Sequence, residues 1–137
     1  PPLMPDRKKW KLTASHGSEK LGGCVDGNDK SRYDTGASQV PGMWVQVELP
    51  FVSKVNRIQL DSRNSTRDYP RGYQVESSVD GKKWSEPLAS GVGKHPITDI
   101  SFPTTEARFL KITQTSRVSG LYWSIHEMHI FGKPIAH

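Results

Sequence analysis

Cysteine is almost missing from this chain: one residue, Cys24, stands among 137. No internal disulfide is possible, so stability has to come from a packed core. Long apolar runs are missing too. No stretch approaches the ~18 residues that cross a bilayer, and mean hydropathy is negative. Helical periodicity is nearly absent. Disorder does not fit either, because aromatic residues reach 9% and charged ones 24%, the balance of a globular domain. A chain of this length makes one domain and can bury roughly two-thirds of its unfolded surface.

Lys and Arg number 19 against 14 Asp and Glu, a net charge of +5. That surplus favours anionic partners and equally describes an ordinary solvated surface. Nucleic acid finds no support, since no basic strand carries interleaved aromatics. The opening Pro1-Pro2-Leu3-Met4-Pro5 has no apolar h-region of a signal peptide. Like the Pro134-Ile135-Ala136-His137 end, it reads as a linker stub. The expected organisation is a stub over 1–9, one domain over 10–132 and a tail over 133–137, cut from a longer protein.

What the chain does have is alternation. Val45, Val47 and Leu49 fall on one face of a run, Gln46 and Glu48 on the other. Ile58 and Leu60 repeat the pattern within 55–61. Residues 73–79 repeat it again and close on Asp80-Gly81, a hairpin signal. Further strands are predicted at 109–115 and 125–131, with shorter ones at 11–14 and 98–102. Seven or eight short strands without a helix predict an all-β antiparallel sandwich. Trp44 and Trp84 read as core residues of it.

The stretch 15–42 carries no strand pattern, and loops of that length tend to be functional. Inside it Asp26, Asn28, Asp29 and Ser31 offer hard oxygens around Gly27. Such spacing suits Ca²⁺, which takes six to eight oxygens; the same residues also make ordinary Asx turns. The EF-hand is excluded for want of flanking helices and of Glu at the twelfth position. His126 and His129 are three apart on a strand and fall on opposite faces, so they make no zinc pair.

Five blocks, in order, resemble a known family. They are Asp26-Gly27-Asn28-x-x-Ser31-x-Tyr33, the run from Gly42 to Leu49, Tyr73 to Trp84, Ala107 to Ile112, and Trp123 to Gly132. They are similar to the discoidin or coagulation factor V/VIII type C domains, and most to their bacterial branch, the family 32 carbohydrate-binding modules. The resemblance implies an eight-stranded jelly-roll sandwich of the galactose-binding-domain type with a structural calcium. Its ligands would be the Gly23 carbonyl, Asp26, the Asn28 carbonyl, Ser31, the His126 carbonyl and the Glu127 carboxylate. It also implies a non-catalytic module, extracellular or at the cell surface, that carries an attached enzyme or surface protein to a glycan.

Sugar sites pair flat aromatic faces with groups that grip hydroxyls, and charged groups grip hardest. The loop 61–70 supplies Arg63 and Asp68 at the spacing the family uses. The loop 116–123 supplies Tyr122 for stacking, with Trp123 beside it, and Tyr33 and Tyr69 add aromatic surface. Where galactose-binding members commonly have His after the aromatic, this chain has Asp34. An ionised Asp accepts but cannot donate. The ligand is therefore galactose-configured or, given Arg32, Arg63, Arg67, Arg71 and Arg117, acidic or sulfated. The rival reading is a discoidin-type adhesion domain for lipid or protein, which typically carries apolar spikes and a bracketing disulfide. An enzyme finds no nucleophile triad or phosphate loop, although Asp34 with Asp68 stays open as a carboxylate pair.

Overall fold

The computed structural model describes residues 2–28 and 30–135; Asp29, named above among the loop oxygens, lies outside them, as do Pro1, Ala136 and His137. Eight strands build the antiparallel sandwich: β1 (Lys11–Ala14), β2 (Tyr33–Asp34), β3 (Trp44–Asp61), β4 (Tyr73–Ser78), β5 (Ala89–Gly91), β6 (Ile97–Gln114), β7 (Ser124–Ile125) and β8 (Glu127–Pro134). Helix among the described residues is confined to two 3-10 stretches, Arg7–Lys9 and Ser18–Cys24. The second lies inside the stretch that carries no strand pattern.

The frame is a pair of 18-residue strands, β3 and β6. The first half of β3 pairs with β1 and with the end of β6; its second half pairs with β8 and the start of β6. Beyond β6 the sheet continues through β4 to β5, and β2 with β7 forms a separate two-stranded sheet. The ladder breaks between Glu48 and Ser53, where Pro50 sits, and between Val55 and Arg57, opposite Pro103. A residue without an N–H is tolerated at such breaks. The two short strands expected at 98–102 and 109–115 are thus one bent strand. So are those at 44–49 and 55–61.

Asn56 is an extra residue on β3, because Val55 pairs with Gly132 and Arg57 with the next residue back, Phe131. One extra residue flips side-chain parity. Inward Val45, Val47, Leu49 and Val55 accordingly give way to inward Ile58 and Leu60. Both halves of the bent sheet then feed one core, with Val47, Leu110 and Ile112 from one side and Ile58, Ile100 and Ile130 from the other. Each such side chain contributes about 1.5–3 kcal/mol by leaving water.

Trp44 and Trp84 differ from expectation. Both are half-buried on the outer face, where the Lys111 ammonium lies 5.9 Å from one ring centre and 4.4 Å from the other. Trp44 has the wrong parity for the core, being even in a run whose odd residues point in.

Residues 2–9, read as a stub, lie against the sheet. Met4 is buried and donates its N–H to the Ile130 carbonyl at 2.8 Å, while Gly132 donates to the Pro2 carbonyl at 2.9 Å. Leu3 bridges Phe131 in antiparallel register. Main-chain pairing with an open strand edge needs no side-chain pattern, so composition does not reveal it. At the other end β8 runs on to Pro134, inside the expected tail.

Candidate functional site

Three connections share one end of the sandwich: 15–32, 62–72 and 115–123. The second is wound into consecutive turns, Ser65 donating to the Ser62 carbonyl and Asp68 to that of Ser65. Asp61, the last residue of β3, sets its start. Its Oδ1 accepts the Arg63 N–H at 2.8 Å and its Oδ2 lies 2.9 Å from Arg63 Nε. Arg63 has φ of 42°, a left-handed conformation that costs a non-glycine residue of order 1–2 kcal/mol.

Asp68 is pinned to β7. Its Oδ2 accepts from Ser124 Oγ at 2.7 Å and its carbonyl from the Ser124 N–H at 2.9 Å. Ser124 pairs with Asp34 in the β2–β7 sheet, which brings both predicted carboxylates to one place. Arg32 joins them: Nε lies 3.3 Å from Asp34 Oδ2, Nη1 lies 3.8 Å from Asp68 Oδ2, and Nη1 donates to Ser65 Oγ at 2.8 Å. Lys20 Nζ takes the other Asp34 oxygen at 2.8 Å. That hydrogen bond raises the Lys20 pKa above its ordinary value.

Asp34 is only 7% exposed, and each of its oxygens has a cation. It holds an ammonium and a guanidinium whose side chains are 42% and 40% exposed. The outward-facing chemistry of this pair of salt bridges is cationic. A glycosidase pair needs both carboxylates at the sugar, and the buried, doubly paired Asp34 does not offer one.

The aromatics separate cleanly. Tyr122 is 42% exposed at the rim. Trp123, its neighbour, is fully buried in the core and cannot stack on a ligand. Tyr33 is also fully buried, its O–H donating to the His16 carbonyl at 2.6 Å, and burial raises its pKa well above the ordinary phenol value. Tyr33 and Trp123 are therefore corrected from binding to packing residues. Tyr69 is half-buried, with the Arg71 guanidinium 4.1 Å from its ring centre, so one face is already covered.

Two residues that set this geometry carry no motif. Arg32 ties Asp34, Ser65 and Asp68 together. Gln39, fully buried, donates to the carbonyls of Tyr69 and Tyr122, both at 3.0 Å, and accepts from Arg71 N–H at 3.1 Å and Gln114 Nε2 at 2.6 Å. The sequence signal for Gln39 is only its place in a long patternless stretch.

The predicted metal ligands lie along the loop 23–31 and the start of β8. Asp26 Oδ1 accepts the Asn28 N–H at 2.9 Å and the Asn28 carbonyl accepts from Ser31 at 3.2 Å, winding the loop upon itself. Gly23 approaches so closely that an added Cβ would stand 2.7 Å from the Arg32 carbonyl oxygen. His126 is buried, with Nε2 at 2.8 Å from Ser65 Oγ. Glu127 is buried as well. Its Oε1 pairs with Arg7 Nη2 at 3.0 Å, and its Oε2 has no hydrogen-bond partner among the described residues. A buried carboxylate oxygen without a donor fits a cation. Among the described residues no three His, Cys, Asp or Glu side chains converge. An ion here would thus rely on loop carbonyls and Ser31 beside Asp26 and Glu127. Cys24 in the same loop is inert, its thiol pushed up to about 12 mainly by burial.

The F5/8 type C domain model matches residues 10–128. No curated protein matches the chain. Among solved structures, a family 32 carbohydrate-binding module from a family 31 glycoside hydrolase of Clostridium perfringens superposes with a TM-score of 0.80 at 20% identity, covering 96% of this chain and 95% of its own. The family 32 module of Clostridium perfringens NanJ, in complex with galactose, gives 0.78 at 20% identity, with 94% and 97% covered. The family 32 module of AlyQ, in complex with 4,5-unsaturated mannuronic acid, gives 0.71 at 25% identity, with 88% and 93% covered.

Proposed function

This chain belongs to the F5/8 type C domain family, and from that membership we propose that it is a non-catalytic carbohydrate-binding module for an acidic glycan, a uronic or sulfated one. The carrying observation is the Lys20–Asp34–Arg32 cluster, with Asp68 and Ser65 on the same guanidinium. A guanidinium held by two carboxylates and a hydroxyl is pre-oriented, and its remaining N–H groups suit a ligand carboxylate or sulfate. Arg63, on the same turn-wound loop as Ser65 and Asp68, would serve hydroxyls, and the rim residue Tyr122 a sugar face. A uronic-acid ligand in one structural relative, AlyQ, agrees with this reading.

Avidity is the physical point of such a module: it raises the local concentration of an attached domain on a polymer. Extracellular or cell-surface work belongs to the same proposal. Among the described residues no helix is long and apolar enough to cross a membrane. The adhesion reading is the weaker one, because the loop 62–72 exposes no large apolar side chain among the described residues.

The experiment is a screen of uronic, sulfated and neutral galactosyl polymers at low and about 0.5 M salt, since salt separates contact from bulk attraction. Arg32→Ala and Arg63→Ala run beside the unaltered protein. Salt-resistant binding to one acidic glycan, weakened at least about tenfold by Arg32→Ala, is the expected result; about 1.4 kcal/mol is a modest share of a charged hydrogen-bond pair. Equal binding of every polyanion, abolished by salt, would reduce the proposal to net charge. Arg63→Ala should weaken binding with a melting change below about 0.5 kcal/mol, as for an exposed side chain.

Calcium is the second part of the proposal. Asp26, Ser31, Glu127 and the carbonyls of Gly23, Asn28 and His126 would hold it, tying the loop 23–31 to the start of β8. At one hundred times its dissociation constant a ligand adds about 2.7 kcal/mol, so calcium should raise the melting temperature by roughly 10 °C in a domain this size. Asp26→Ala should remove that rise. A melt indifferent to calcium in the unaltered protein would end the assignment.

A further inference from the structure

Arg7 lies beyond the family match, in the strap that residues 2–9 lay along β8. The strap is fixed at both ends. Pro2 and Met4 make main-chain hydrogen bonds to β8, and Trp10 is buried. Between them Asp6 turns the chain through a left-handed conformation, φ 57°, and the 3-10 turn Arg7–Lys9 follows. That turn directs Arg7 inward to 17% side-chain exposure. Nη1 donates to the Met128 carbonyl at 3.1 Å and Nη2 to Glu127 Oε1 at 3.0 Å. Nη2 also stands 4.0 Å from where a Cβ on Gly27 would be, so the guanidinium spans the gap between β8 and the oxygen-rich loop.

Glu127 needs a positive neighbour because it is buried, and its Oε2 still has no donor among the described residues. Arg7 supplies a charge at one oxygen and leaves the other open. A divalent ion brought to the same carboxylate would meet a fixed guanidinium, and two cations crowded at one poorly solvated site repel, because little water screens them. We infer that Arg7 is a tethered counter-ion of Glu127 that competes with calcium: the two exchange at this carboxylate, and ion binding frees the 3-10 turn of the strap. This rests on the proposal of calcium at Glu127. It adds that the ion's affinity is set by a residue outside the loop, and that metal loading is coupled to the N-terminal strap.

Calorimetric titration of the chelator-stripped 137-residue protein with calcium chloride tests it, in the unaltered chain and in Arg7→Met. Methionine keeps much of the aliphatic stem and removes the charge. Calcium should bind Arg7→Met about tenfold more tightly or better, and Asp26→Ala in that background should abolish the gain. Equal affinities, or tighter binding by the unaltered chain, would overturn the competition while leaving calcium in place. Absence of calcium binding in both would overturn the calcium assignment and the competition together. A second measurement needs no substitution: cleavage after Lys8 and Lys9 by a lysine-specific protease should quicken several-fold when calcium saturates the unaltered protein. A cleavage rate unchanged by bound calcium would overturn the release of the strap.

Discussion

Trp123→Ala should destabilise the domain by about 3–5 kcal/mol, while the adjacent Tyr122→Ala should shift it by less than about 0.5 kcal/mol and weaken glycan binding. The two residues are neighbours at the entry to β7 and face opposite ways. Trp123 is fully buried in the core, and its backbone is fastened on both sides to Thr35: the Thr35 N–H donates to its carbonyl at 3.0 Å, and its own N–H donates to Thr35 Oγ1 at 3.2 Å. That fastening limits collapse into the space an indole would leave, which puts the cost at the high end. One term runs the other way. The indole Nε1 is buried without a partner among the described residues, so truncation removes an unsatisfied donor. Against a total stability of about 5–15 kcal/mol the loss should be plain in urea denaturation. Similar midpoints for the two variants would sink the assignment of one aromatic to the core and the other to the rim.

That pair also shows what the chain discloses and what it conceals. Alternation identified the inward face of β3 and the pattern of β4, because period-2 burial is written locally. It did not disclose that β3 and β6 are each one continuous strand. Pro50 and Pro103 look like terminators, and only the pairing geometry shows them seated at breaks in a ladder that carries on. Nor could alternation place Asn56, since a bulge is defined by the partner strand. At the candidate site, Arg63, Asp68 and the loop 26–31 stand out in the sequence by the motifs around them. Asp34 was legible as unusual, yet its effect depends on Lys20, fourteen residues earlier, and on Arg32. Aromatic type alone could not separate Tyr122 from Trp123 and Tyr33, because a ring suits a core as well as a ligand. The strap 2–9 was concealed most fully, being held mainly by main-chain hydrogen bonds and by one arginine reaching across the fold.

Gln39→Leu should cost about 3 kcal/mol or more and should weaken glycan binding at least about tenfold even in the folded fraction. An amide has two donors and two acceptor lone pairs, and Gln39 uses all four. Its NH₂ group serves the Tyr69 and Tyr122 carbonyls, and its oxygen serves Arg71 N–H and Gln114 Nε2. Gln114, also fully buried, passes the connection on: its Oε1 accepts from the Gly72 and Ser116 N–H groups, both at 3.1 Å. One amide pair therefore fixes the ends of two rim loops to each other, including the backbone of the exposed tyrosine. Leucine fills the volume but leaves four polar groups facing hydrocarbon, and each stranded group costs roughly 1–3 kcal/mol. The loops would relax to recover hydrogen bonds from water, so Tyr122 and the Tyr69–Arg71 turn would lose their fixed places. Because Gln39 lies beneath the rim, lost binding at retained fold reports loop order; the discriminating comparison is urea stability against calorimetric affinity for the glycan the screen identifies. Stability within about 1 kcal/mol of the unaltered protein with undiminished affinity would show that the buried amides do not position the site.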